Sequence, residues 1–218
     1  MSTVLRVKPD DPSDHVISTA VAVIEAGGLL AYPTDTVYGL GTNALNPQAV
    51  RKIFEVKKRA FTQPLPVAVS GRPMAAELAY VSDRAHVLMA RFWPGALTLV
   101  LKKRPRTPLI VTGGRVGVGV RAPNHQVPLT IMNVSHCPLI TTSANKHGGP
   151  PCVTAAEVRR HFDGEIALIL DGGRCAQAAS TVLDLVRTPP VLLRQGAITR
   201  TMIEDAIGVV DEEGSGLQ

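Results

Sequence analysis

Four clusters of polar side chains stand where apolar runs end, and each has the residue types to hold an anionic small molecule. The first is Tyr32-Pro33-Thr34-Asp35-Thr36-Val37-Tyr38-Gly39-Leu40-Gly41, which follows the apolar run Leu29-Leu30-Ala31. A strand that empties into such a loop fixes the backbone, while Thr34 and Thr36 offer hydroxyls that both donate and accept. Asp35 has the side chain to cap a turn there instead. The second is Lys57-Lys58-Arg59, with Pro64-Leu65 after it. Basic residues in the last turn of a helix suit its dipole, and they equally suit a cationic lid over an anion. The third is Thr141-Thr142-Ser143-Ala144-Asn145. Ser143 and Asn145 are two apart, so an extended segment puts both on one face, toward one phosphate or carboxylate. An Asx or ST turn without a ligand uses the same residues. The fourth is a pair of arginines that close apolar runs, Arg121 after Val116–Val120 and Arg194 after Val191–Leu193. Such an arginine either pairs with an acid of its own chain or turns its planar fork to a ligand's carboxylate or phosphate.

Other chemistries lack their marks. There is no G-x-x-x-x-G-K-[ST] phosphate loop, and the glycine-rich stretch Gly113–Gly119 flanks a strand rather than opening a helix. Ser143 lacks the G-x-S-x-G surroundings of a nucleophilic serine. The cysteines, Cys137, Cys152 and Cys175, are odd in number and form no C-x-x-C pair, which disfavours both a disulfide framework and a structural zinc site.

These clusters need a scaffold, and the chain supplies one of α/β type. Apolar strand-like runs alternate with amphipathic helical stretches. A first helix starts after Asp14 and ends at Gly27-Gly28. Asn46-Pro47 opens a second, with Val50, Ile53 and Phe54 on its apolar face. Ser82 caps a helix that Pro94-Gly95 stops, Thr154 with Glu157 forms a capping box, and Thr199 caps a last helix through Ile207. Strands are expected at Leu29–Tyr32, Pro66–Ser70, Leu97–Leu101, Val116–Val120, Leu139–Thr142, Ile166–Leu170, Thr181–Val186 and Val191–Leu193. Residues 1–207 read as one domain. The acidic, glycine-containing 208–218 reads as a disordered tail.

Composition narrows the partners. Three of the 18 acidic residues lie at 211–213, so residues 1–210 hold 23 basic against 15 acidic side chains, a balance that suits nucleotide, phosphate or RNA. No apolar run approaches the ~18 residues of a membrane span. The N-terminus lacks the order of a secretion signal, so a cytoplasmic place is expected.

Taken in order, the motifs resemble those of the YrdC-like threonylcarbamoyl-AMP synthases in their single-domain form. The resemblance rests on Tyr32–Leu40, on Lys57-x-Arg59 with Pro64-Leu65, and on Trp93-Pro94-Gly95-x-Leu97-Thr98. It continues through Val120-Arg121-x-Pro123, Ser143-Ala144-Asn145, Asp171-Gly172-Gly173, Ser180-Thr181-Val182 and Leu193-Arg194-x-Gly196. It implies an open twisted mixed sheet with flanking helices around a deep basic cavity. It implies that L-threonine, bicarbonate and ATP give threonylcarbamoyl-AMP and pyrophosphate. It implies threonine contacts from Thr34, Arg121, Thr141 and Ser180, and contacts to ATP and the reacting carbamate from Lys57, Arg59, Ser143, Asn145 and Arg194. Lys57, Arg59, Ser143 and Asn145 would be the catalytic set. Magnesium would arrive with ATP, with no metal ligand identified among the side chains. Partner proteins would carry the group to an adenosine of tRNA, with tRNA itself a candidate partner. The competing reading is an RNA-binding or ribosome-maturation factor that uses a basic concavity without catalysis. Against it stands a shortage of base-stacking aromatics: one Trp, three Tyr and four Phe.

Overall fold

The computed structural model describes residues 1–146, 148–177 and 179–213. In chain order its elements are β1 (Thr3–Arg6), α1 (Asp14–Glu25), β2 (Leu30–Tyr32), β3 (Gly39–Gly41), α2 (Pro47–Lys57), β4 (Val67–Ala68), α3 (Arg72–Leu78), α4 (Asp83–Phe92), β5 (Leu97–Lys102) and α5 (Leu109–Thr112). There follow β6 (Gly117–Arg121), α6 (Gln126–Ser135), β7 (Leu139–Ile140), β8 (Thr142–Ser143), α7 (Ala155–Phe162), β9 (Leu168–Asp171), β10 (Thr181–Asp184), β11 (Val191–Arg194), α8 (Arg200–Ile207) and β12 (Asp211–Glu212).

The strands divide between two mixed sheets rather than one. Five run in the order β1-β9-β2-β3-β8 and seven in the order β12-β11-β10-β5-β6-β4-β7. The sheets meet along one extended stretch. Leu139 and Ile140 pair antiparallel with β4 in the larger sheet, while Thr142 and Ser143 pair antiparallel with β3 in the smaller. Between them, the Thr141 amide donates to Pro66 O at 2.9 Å. The expected strand Leu139–Thr142 is thus a crossing from sheet to sheet, with Thr141 at the crossing.

The larger sheet has two unlike faces, as the period of two requires. Leu97, Leu99, Leu101, Val118, Val120 and Leu183 point into the main core with Phe54 of α2, Leu88 of α4 and Ile203 of α8. Thr98, Val100, Gly117, Gly119, Arg121, Val182 and Asp184 alternate with them and face a cavity. A second cluster packs Val16, Ile17 and Ala20 of α1 with Val127 and Ile131 of α6, over the smaller sheet.

The capping signals hold. Asn46 Oδ1 accepts from the amides of Gln48 and Ala49 at 3.1 Å, and Thr154 with Glu157 closes a capping box. The tail does not begin where expected: Asp211–Glu212 form β12, parallel to β11, and the Glu213 amide donates to Leu192 O at 3.2 Å. An acidic segment with no apolar period is still ordered when a free sheet edge takes its backbone, and Arg200 anchors it by Nη1 to Glu212 Oε1 at 3.2 Å and Nη2 to Val210 O at 2.6 Å. Residues 214–218 of that expected tail lie outside the described residues. Among the described residues no helix is long and apolar enough to cross a membrane.

Candidate active site

The cavity between the sheets has a volume of about 1020 Å³. Thr34, Arg59, Arg121, Thr141, Ser143, Ser180 and Arg194 all stand on its wall. Residues spread over 160 positions of sequence are therefore brought to one space. Two expected members, Lys57 and Asn145, are not on the wall.

The first loop is braced by its own hydroxyls. Thr34 Oγ1 donates to Val37 O at 2.7 Å, lies 3.0 Å from Thr36 Oγ1 and accepts from the Thr36 amide at 3.1 Å. Tyr38 closes the far end: its hydroxyl donates to Gly173 O at 2.8 Å and accepts from the Gly172 amide at 3.2 Å, and burial pushes its phenol well up. At Gly41 the chain tolerates no side chain, since a Cβ would stand 2.5 Å from Ile140 O and 2.8 Å from the ring of Tyr32.

Arg121 ends β6 and is 8% exposed. Its Nη2 meets Asp35 Oδ1 at 2.6 Å, Nη1 donates to Thr36 Oγ1 at 3.1 Å, and Nε donates to Gly95 O at 2.8 Å. Asp35 is thus the arginine's counterion rather than a turn cap. The guanidinium is locked against the hydroxyl loop, which is the condition for burying it. Burial pulls the guanidinium's pKa below its ordinary value, and Asp35 opposes that.

Arg59 and Lys57 part company at Lys58. Lys58 is left-handed, φ 52°, and caps α2 with its amide on Glu55 O, so the chain reverses there. Arg59 then reaches the cavity wall, where Nη2 donates to Pro64 O at 2.8 Å. Among the described residues its Nε is buried without an acceptor, a donor that a bound anion would satisfy. Lys57 turns inward and is 1% exposed. Its Nζ donates to Ser143 O and Asn145 O, each at 2.5 Å. Burial first, then the neighbouring Arg59, lowers the ammonium from its ordinary value to about 8. Asn145 is 5% exposed, and its Nδ2 donates to Lys146 O at 2.9 Å and Gly149 O at 2.6 Å. With the amide so oriented, Oδ1 is buried with no donor among the described residues.

Arg194 stands on the wall at Ser180. Nε donates to Ser180 O and Nη2 to Ser180 Oγ, both at 2.9 Å. Ser180 Oγ lies 3.4 Å from Thr98 Oγ1. The wall therefore sets hydroxyls beside both Arg121 and Arg194, with Arg59 a further guanidinium on it.

A family model described as telomere recombination, Sua5_yciO_yrdC, matches residues 22–196. The chain belongs to the Sua5/YciO/YrdC family. It is 42% identical over 196 residues to the threonylcarbamoyl-AMP synthase of Pyrococcus abyssi, which covers 89% of this chain and 58% of that protein. It is 35% identical over 203 residues to a putative threonylcarbamoyl-AMP synthase of Mycobacterium tuberculosis H37Rv, covering 92% and 93% of the two chains. The crystal structure of P. abyssi Sua5 complexed with L-threonine superposes with a TM-score of 0.94 at 39% identity, over 97% of this chain and 63% of that one. The chain thus spans little more than half the length of its P. abyssi relative. Every motif quoted for the Sua5/YciO/YrdC resemblance, from Tyr32 to Gly196, falls inside the matched span.

Two arginines on the wall of this Sua5/YciO/YrdC cavity escaped the sequence reading. Arg115 and Arg187 line it and are exposed. Arg187 pairs with Asp184 Oδ2 at 3.4 Å. Each is a single arginine in a surface turn, a pattern that carries no signal until the fold turns it inward. Thr98, part of the Trp93–Thr98 motif but given no role from sequence, also faces the cavity, beside Gly119.

Proposed function

We propose that this chain joins L-threonine, bicarbonate and ATP into threonylcarbamoyl-AMP, with release of pyrophosphate. One observation carries the reading: a single cavity holds both a hydroxyl-rich wall with a locked arginine and further guanidinium groups. An amino acid's carboxylate and a triphosphate repel, and fixed cations in a water-poor cavity are what let them share it. The names of the relatives and the threonine bound in P. abyssi Sua5 support the same chemistry.

In this reading Thr34, Thr141, Ser180 and Arg121 receive threonine, and Arg59, Ser143 and Arg194 receive the phosphates. The threonine ammonium first gives up a proton; the free amine then attacks the bicarbonate carbon, and one water leaves as the carbamate forms. A carbamate oxygen then attacks the α-phosphorus, the bond to the β-phosphate oxygen breaks, and pyrophosphate departs. No side chain forms a covalent bond; the chain's part is alignment and charge stabilisation. Magnesium enters with the nucleotide substrate. The wall fits that role and not a resident ion, because its donors are hydroxyls and guanidiniums. Of its two carboxylates, Asp184 is committed to the Val186 amide at 2.8 Å and to Arg187, and Glu213 is exposed. No cluster of metal-ligating side chains occurs among the described residues. The adenylate would pass to proteins that modify tRNA.

The test is pyrophosphate release from ATP by the purified chain, with threonine and bicarbonate each present or omitted. Release that needs both is the expected result. A folded chain that releases none under any combination overturns the reading.

A further inference from the structure

Arg121 faces the main cavity, and Ala122, the next residue, lines a second concavity of about 330 Å³. We propose that this second concavity binds a small apolar carboxylate, of the aryl or branched-chain class, and that its occupant acts on Arg121.

The walls call for an apolar body. Met89 and Ala122 are buried there, and Trp93, Pro94 and Leu129 stand around them. The Trp93 indole N–H is spent on Leu97 O at 2.7 Å, so the ring offers the concavity apolar surface and no donor. The space suits roughly a dozen non-hydrogen atoms, at the small end of ligand sites.

The polar residues on the same wall call for an anion. Arg72 Nη1 lies 3.4 Å from Nδ1 of His86, which is another base. No ion pair among the described residues includes either of them. Ser70 Oγ donates to Met74 Sδ at 3.9 Å, an acceptor too weak to satisfy a hydroxyl. A guanidinium fork with a hydroxyl close by matches the two oxygens of a carboxylate, and one negative charge answers one arginine.

Position ties this site to Arg121. The Gly95 amide donates to Ala122 O at 2.8 Å, Gly95 O accepts from Arg121 Nε at 2.8 Å, and the Val69 amide donates to Arg121 O at 2.9 Å. Ser70, Pro94 and Ala122 on the wall are each one residue from a group in that set of bonds. A molecule wedged among them moves the backbone that aims the guanidinium, because a close-packed wall passes a shift on rather than absorbing it. This half of the proposal rests on the reading that Arg121 receives threonine.

Trp93 is the one tryptophan of the chain, so its emission reports the concavity directly. The full chain is titrated with hydrocinnamate and with the neutral hydrocinnamide, by emission and by calorimetry. The expected result is saturable binding of the acid, at least about fivefold tighter than that of the amide. Arg72→Met should bring the acid down to the amide's affinity. Ala90→Phe, at an exposed position of α4 on the wall, should fill the space and abolish binding of both. No saturable signal up to about 20 mM, equal affinity for acid and amide, or binding that neither variant weakens overturns the site. L-Threonine is then titrated with and without saturating hydrocinnamate. Its Kd should change at least about fivefold, and threonine should change the acid's Kd by the same factor. An unchanged Kd overturns the link to Arg121. A chain that takes no threonine at all overturns the reading of the main cavity and the link with it, while the emission titration decides the second site on its own.

Discussion

Arg121 and Asp35, 86 positions apart, meet at 2.6 Å in the cavity wall, and the pair joins the end of β6 to the loop that follows β2. Arg121 cannot lose that partner cheaply, because its side chain is only 9% exposed. Asp35→Ala is expected to destabilise the chain by roughly 3 kcal/mol, as a buried charge left without its counterion does. Urea unfolding measures it; an unchanged midpoint and slope would show that water reaches the guanidinium.

The same arginine should resist its usual replacement. Arg121→Lys keeps the charge but not a fork able to meet Asp35, Thr36 and Gly95 together. The expected effect is a rise of about tenfold or more in KM for threonine, since some 1.4 kcal/mol of orientation is lost. A change confined to KM for ATP would move Arg121 to the nucleotide side.

Lys57 makes stability depend on pH in a defined direction. Its folded value of about 8 lies below the ordinary 10.5. Between those values the unfolded chain binds more protons than the folded one, so stability rises with pH across that window. Below about 8 the burial cost is fully present. Relative to Lys57→Met, the parent chain should gain roughly 2 kcal/mol from pH 7 to pH 10. Parallel stability curves for the two would mean that the ammonium is ordinary.

Gly119 keeps the cavity open. A Cβ there meets Thr98 Cγ2 at 3.5 Å, an ordinary contact, so a larger residue fits the strand while it fills the space in front of it. Gly119→Val should leave the melting temperature within a few degrees and raise KM for a substrate at least fivefold, by occlusion. Unaltered kinetics would put the substrates elsewhere in the cavity.

The buried thiols should be inert. Cys152 is 2% exposed and its thiol is pushed up to about 11, while Cys175 is also buried and raised. A thiolate-specific reagent at pH 8 is expected to leave both intact in the folded chain and to modify them in urea. Rapid modification of Cys152 in the native state would mean that the segment over it opens.

Caps, strand ends and the grouping of polar motifs were legible in the sequence because they are local: Asn46, Ser82, Thr154 and Thr199 each act within a few residues. Elements whose own residues argue against them were not. Gly39–Gly41 reads as a turn, yet β3 forms because β2 and β8 offer it partners on both sides. Helix α6 carries Pro128 and several β-branched residues, and it is helical because Val127 and Ile131 bury against α1. Strand β1 has mostly exposed residues and exists by pairing with β9.

By itself, then, the sequence determined which residue types were available: hydroxyls after β2, cations at the end of α2, arginines ending β6 and β11, and the α/β alternation that carries them. Tertiary structure alone decided their roles. Whether Asp35 caps a turn or answers Arg121, and whether the Lys57 ammonium is solvated or buried against two carbonyls, depends on which distant backbone arrives beside it. Neighbours 86 and 88 positions away set those fates. A side chain's charge and length are written locally. Its burial and its partners are not, since both arise only when the two sheets close around one cavity.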